Sequence, residues 1–129
     1  MQAYKYDKVL IVDDTELDCF IAEKVMRITQ FAKNTICINS ACDALKYLDT
    51  LSENPDAIPE LIFLDVNMPG MNGFQFLSEY KKLPVGIRKR SIVMLTSSIL
   101  EDDKQHALSN EYVKSFINKP LSMDALRNL

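Results

Sequence analysis

The sequence holds a single histidine, His106, and three cysteines, Cys19, Cys37 and Cys42, with no CxxC pair. That is too few ligands for a zinc site of ordinary spacing. An odd cysteine count without a framework reads as reduced thiols in a cytoplasm. No apolar run approaches the roughly 20 residues needed to cross a bilayer. The start, Met1 to Tyr6, has no apolar signal core, so export is not expected and a cytoplasmic location is. Basic excess is missing too: 15 Lys and Arg against 18 Asp and Glu give a net charge of −3. That leaves no electrostatic footprint for nucleic acid. There is no internal repeat, low-complexity segment or linker.

What is present fits one soluble domain spanning residues 1–129. The 47% hydrophobic and 26% charged fractions are ordinary for a globular chain. Residues 1–7 read as a polar tail. Lys8-Val9-Leu10-Ile11-Val12 is a buried strand ending in Asp13-Asp14. A helix over 16–29 follows, with Leu17, Phe20, Ile21, Val25 and Ile28 as its inward stripe. Cys19 lies off that stripe and is given no role. Residues 34–39 form a weaker second strand, and Ser40 with Asp43 resembles a capping box for a helix over 41–52. Ser52 to Glu60, with Pro55 and Pro59, is a loop.

The third strand, Leu61-Ile62-Phe63-Leu64, is apolar throughout and runs into Asp65, followed by a Met68-Pro69-Gly70 turn. Such a run reads as a strand covered on both faces of a parallel sheet. The third helix covers 73–82, with Phe74, Leu77 and Tyr80 toward the sheet. Lys81 to Arg90 is a polar connection whose basic residues read as solvated surface. A fourth strand, 91–95, ends in Thr96-Ser97-Ser98. The fourth helix, 99–109, has a thin apolar face of Ile99, Leu100, Ala107 and Leu108, and it carries His106 as an exposed residue. A fifth strand, 113–117, leads to Asn118-Lys119-Pro120, and Ser122 caps a short last helix with Ala125, Leu126 and Leu129. Five strands alternating with five helices predict an α/β, flavodoxin-like, doubly wound parallel sheet of order 2-1-3-4-5.

In that order Asp13, Asp14, Asp65, Thr96 and Lys119 gather along the carboxyl edge, where open α/β sheets place their chemistry. An Asp before a turn is also an ordinary turn former, so Asp65 alone decides nothing. The acidic pair is harder to explain structurally, because a helix cap uses one carboxylate and not two. Three crowded carboxylates raise one another's pKa or need a cation. Oxygen-only ligands favour a hard ion such as Mg²⁺, which shares phosphate oxygens readily. Asp65 is then the natural nucleophile for an aspartyl-phosphate. Phosphoryl transfer needs mainly positioning and charge stabilisation. Lys119 offers an ammonium, Thr96 a hydroxyl, and the small Ser97 leaves access.

These residues resemble the receiver domain of two-component response regulators, the single-domain chemotaxis regulator being the simplest type. The likeness runs from Lys8 to the end of the chain. It rests on Asp13-Asp14, on Asp65 in Leu64-Asp65-Val66-Asn67-Met68-Pro69-Gly70-Met71-Asn72-Gly73, on Thr96, and on Lys119-Pro120. The resemblance implies that Asp65 accepts phosphate from a sensor histidine kinase or a histidine phosphotransfer protein. It implies Mg²⁺ on Asp14, Asp65 and the backbone carbonyl of Asn67, with Asp13 acting through water. It also implies a cis Lys119-Pro120 bond, movement of Thr96 on activation, and inward turning of an aromatic residue at Phe116. The relatives often have Tyr at that position, and Phe116 lacks the hydroxyl. The output surface would be the fourth helix, fifth strand and fifth helix, read by a downstream protein, with a homodimer through it as one option. Asn67 and Ser98 would flank the path to the phosphoryl group. No DNA, membrane or output domain is expected.

Three rivals use the same features. A dehalogenase-type phosphatase needs a second Asp two residues after the nucleophile, where Asn67 stands. A flavin-binding flavodoxin needs a Gly- and hydroxyl-rich loop after the first strand, where Asp13-Asp14 stand. A receiver-shaped scaffold independent of phosphorylation would have no use for the intact set.

Overall fold

Side chains of consecutive strand residues point to opposite faces, so a strand apolar at every position must be covered on both sides. Three strands of this protein meet that condition. The computed structural model describes residues 3–88, 90–97 and 101–129, apart from the side chain of Glu101. It contains β1 (Tyr6–Val12), β2 (Ala32–Ile38), β3 (Leu61–Asp65), β4 (Ser91–Thr96) and β5 (Val113–Asn118). They form one parallel sheet of order β2-β1-β3-β4-β5. Six α-helices lie among the described residues: α1 (Glu16–Ile28), α2 (Ala41–Thr50), α3 (Gly73–Tyr80), α4 (Val85–Arg88), α5 (Glu101–Leu108) and α6 (Met123–Arg127).

The core splits into two layers by the period of two. Val9, Ile11, Leu61, Phe63, Val93 and Leu95 pack with Cys19, Ala22 and Met26 of α1 and Leu126 of α6. Leu10, Val12, Ile62, Leu64, Ile92 and Met94 pack on the other face with Ala44 and Leu48 of α2, Phe76 and Tyr80 of α3, and Ala107 of α5. Carried past the strand ends, the same alternation puts Asp13, Asp65 and Lys119 on the α1–α6 face. Serine caps hold at two helix starts, the first as a single cap bond and not the reciprocal box expected with Asp43. Ser40 Oγ accepts from the Asp43 N–H at 3.2 Å, and Ser122 Oγ accepts from the Ala125 N–H at 3.1 Å. Asn72 and Gln75 form a reciprocal capping box at α3.

Several expectations are corrected. β1 begins at Tyr6, inside the supposed polar tail, because Tyr6 pairs with Ala32 and packs its ring on Phe31 at 5.1 Å. The buried face of α1 is shifted: Val25 packs on the core as expected, but the rest of the contact is made by other residues. Leu17, Phe20 and Ile28 are 68%, 62% and 60% exposed, whereas Cys19, Ala22 and Met26 are buried. Small residues let the helix lie close on the sheet, and this outweighs the larger apolar stripe. On α3 the buried residues are Phe76, Leu77 and Tyr80, while Phe74 is half-buried and stacks on His106 with centroids 4.3 Å apart. The polar connection contains a single helical turn, α4, anchored by buried Ile87. That turn makes six helices where five were expected. Cys19 and Cys37 are joined as a disulfide between α1 and β2, with Cα atoms 6.3 Å apart. This replaces the expectation of unrelated reduced thiols. Ser98, Ile99 and Leu100 lie outside the described residues.

Candidate functional site

The carboxyl ends of β1, β3 and β5 converge under the start of α1. Val66 N–H donates to Leu95 O at 2.9 Å, and Lys119 N–H donates to Thr96 O at 2.8 Å. These bonds extend the sheet ladder one residue beyond the strands and fix where Asp65 and Lys119 project. Close packing of α3 fixes Asp65 from the other side. A Cβ on Gly73 would come within 2.8 Å of the Asp65 carbonyl oxygen and 3.0 Å of Val66 Cα, so only glycine fits there. Gly70, with φ of 77°, lets the intervening loop turn.

Asp13 and Asp65 are buried at 1% and 3% exposure. Lys119 Nζ lies 2.8 Å from Asp13 Oδ2, 2.7 Å from Asp18 Oδ2 and 3.3 Å from Asp65 Oδ2. Asp65 Oδ1 accepts from the Asn67 N–H at 3.2 Å, and Asp13 Oδ1 accepts from the Thr15 N–H at 3.0 Å. Burial pushes the Asp65 carboxyl up to about 6; the Asp13 charge adds to this and Lys119 opposes it. Burial alone would lower the Lys119 pKa. Hydrogen bonds to Asp13 and Asp18 and the Asp65 charge outweigh it and hold the ammonium above its ordinary value.

Above this ion-pair cluster lies an open pocket of about 440 Å³, lined by Asp14, Thr15, Asp18, Asp65, Asn67, Ser97, Lys119 and Pro120. One oxygen from each of Asp13, Asp14 and Asp65 falls in a group whose members all lie within 4.8 Å of one another. Three anionic oxygens at that spacing suit a hard divalent cation, which would relieve their repulsion. The residues present therefore fit a metal.

The fold thus brings together Asp13, Asp14, Asp65, Asn67 and Lys119. Thr96 adjoins them, fully buried at the end of β4 opposite Asn118. Phe116 is not at the pocket. It is half-buried on the opposite face of β5, against the α2–α3–α5 layer. The Lys119–Pro120 bond is cis, as expected. Asp18 went unnoticed in the sequence. Its only signal is its place four residues after Asp14, one helical turn into α1.

A doubly wound parallel sheet with a carboxylate and lysine pocket at its carboxyl edge defines a flavodoxin-like protein with an acidic site. Residues 9–129 match the family described as response regulator receiver domain. The chain belongs to that family. Receiver domains of two-component response regulators are signalling proteins whose switch is phosphorylation. A two-component response regulator from Cytophaga hutchinsonii superposes with a TM-score of 0.89 at 29% identity, covering 96% of this chain and 93% of that one. The Mn(2+)-bound form of response regulator Rcp1 superposes with a TM-score of 0.73 at 26% identity, over 95% of this chain and 88% of that one. The sensor histidine kinase CheAY of Helicobacter pylori is 29% identical over 92% of this chain, which spans 14% of its length. Among the described residues, no helix is long and apolar enough to cross a membrane.

Proposed function

We propose that Asp65 accepts a phosphoryl group from a phosphohistidine on a sensor histidine kinase or histidine phosphotransfer protein, and that the resulting charge switches the surface of α5, β5 and α6. The observation that carries this reading is the placement of Asp65. Its carboxylate is buried, held by the Asn67 N–H, 3.3 Å from an ammonium and open to the pocket. One Asp65 oxygen attacks phosphorus, the P–N bond breaks, and the histidine nitrogen leaves with its electron pair. With its pKa near 6, Asp65 is mostly ionised and nucleophilic at neutral pH. Mg²⁺, held by Asp13, Asp14, Asp65 and the Asn67 carbonyl, would neutralise charge on the transferring group. The Mn(2+)-bound Rcp1 relative supports a divalent ion here.

Lys119 then pairs with a phosphoryl oxygen, and Thr96 donates a hydrogen bond to another. Thr96 and Phe116 lie on the same face of the sheet, in β4 and β5. Movement of Thr96 therefore frees or fills space beside Phe116, and coupling is steric because Phe116 has no hydroxyl. α5 suits a switching element, with Ala107 buried and Leu108 46% exposed. Exposed Leu17 and Phe20, on the helix that roofs the pocket, give the donor an apolar surface beside the acceptor.

The test is mapping of the phosphoryl group after incubation with acetyl phosphate and Mg²⁺. Modification of the Asp65 peptide alone is expected. Modification elsewhere, or none, would overturn the assignment. Calorimetry should show one Mg²⁺ site that is lost in Asp14→Ala; normal affinity there would remove Asp14 from the site.

A further inference from the structure

Lys119 offers three N–H protons, and three carboxylates already use them. The nearest is not the acceptor. Asp18 lies at 2.7 Å, Asp13 at 2.8 Å and Asp65 at 3.3 Å. We propose that Asp18 is a positioning residue that holds the Lys119 ammonium toward α1, so that phosphoryl transfer to Asp65 must break the Asp18–Lys119 ion pair. This rests on the phosphoacceptor reading of Asp65 and adds a restraint to it.

Two features of Asp18 set it apart from the other carboxylates. First, it stands outside the group of Asp13, Asp14 and Asp65 whose oxygens crowd together. A divalent cation seated in that group would offset most of the charge of those three and leave Asp18 with its claim on Lys119. Second, its side chain is 34% exposed on the first turn of α1, at the rim of the pocket, while Asp13 is 2% exposed beneath it. The hydrogen bond from Lys119 holds the Asp18 carboxyl below its ordinary value, so it stays charged throughout the neutral range.

Phosphorylation replaces the single charge of the Asp65 carboxylate with about −2 on the phosphoryl group, beside this rim. Asp18 then acts against the new group in two ways. It competes for the ammonium that a phosphoryl oxygen needs, and it repels that oxygen as a like charge. Both effects have the same sign. The ion pair is partly solvated, so its opposition is moderate and can be overcome by the incoming group. Asp18 therefore sets how readily the pocket fills, without touching the transferred group.

The test uses the full chain, with Asp18→Asn and Asp18→Glu beside wild type. Beryllofluoride with Mg²⁺ serves as the phosphoryl mimic. Without Mg²⁺, the Lys119 ammonium signal in a ¹H–¹⁵N spectrum should shift in Asp18→Asn and return toward wild type in Asp18→Glu. With Mg²⁺, half-saturation by beryllofluoride should come at a concentration roughly three- to tenfold lower in Asp18→Asn, the size of one partly screened charge contact. Asp18→Glu should restore the wild-type value. An unmoved Lys119 signal would overturn the ion pair as a restraint. A shifted signal with unchanged or weaker beryllofluoride binding would overturn the competition. Absence of any adduct in wild type and variants alike would overturn the acceptor reading and the competition with it, while the Lys119 signal would still report the pair.

Discussion

Replacing Asp65 with Asn removes the one buried carboxylate whose ionisation opposes folding most clearly. The folded-state pKa is raised to about 6 from an ordinary value of 3.8, through burial first and the Asp13 charge second. A raised pKa means that the folded protein holds the Asp65 proton more tightly than the unfolded chain. Stability from this group is fully present below pH 3.8 and is lost as the pH rises through 6. The shift of about two units corresponds to about 3 kcal/mol. Asn has nearly the same shape and no ionisation. The stability of Asp65→Asn minus that of wild type should therefore be flat below pH 3.8, rise between pH 4 and 6, and level off about 3 kcal/mol higher. Urea denaturation in EDTA across that range gives both curves, and their difference cancels the other titrating groups. A difference that stays flat, or that falls with rising pH, would show that the buried Asp65 charge does not oppose folding. It would mean that Lys119 already compensates Asp65 in full.

Other substitutions probe the same architecture. Lys119→Met should lower stability without Mg²⁺ by about 3 kcal/mol, because it strands buried Asp13 and Asp65 beside each other. Saturating Mg²⁺ should recover much of that loss, as read by urea midpoints with and without the ion. Gly73→Ala should cost about 1–3 kcal/mol by overpacking against the Asp65 backbone, and phosphorylation should fall with it. Phe20→Ala should leave stability within about 0.5 kcal/mol of wild type, whereas Met26→Ala should cost about 2–5 kcal/mol. Equal losses at the two positions, measured by denaturation, would contradict the orientation of α1.

The strand order, and the gathering of Asp13, Asp14, Asp65 and Lys119 at one edge, were legible because a buried parallel strand announces itself. Leu61 to Leu64 and Val9 to Val12 are apolar without a break, and each runs into carboxylates. Topology then carries those carboxylates, with Lys119, to one edge. The face of α1 was not legible, because periodicity counts large apolar residues and cannot weigh close approach. Cys19 and Ala22 sit nearer the sheet than Leu17 and Phe20 because they are small. α4 is one turn long and has no period to detect. Asp18 carries no motif, and only the convergence of α1 with the end of β5 reveals its partner. The Cys19–Cys37 pair spans 18 residues between a helix and an edge strand, a contact that spacing does not announce.

The central claim is that Asp65 is a metal-assisted phosphoryl acceptor. Intact mass after incubation with acetyl phosphate tests it most directly, on wild type with Mg²⁺, wild type with EDTA, and Asp65→Asn with Mg²⁺. One added phosphoryl group is expected in the first sample and none in the other two. An adduct of equal yield in Asp65→Asn, or an unmodified wild type under conditions where beryllofluoride also fails to bind, would contradict the claim.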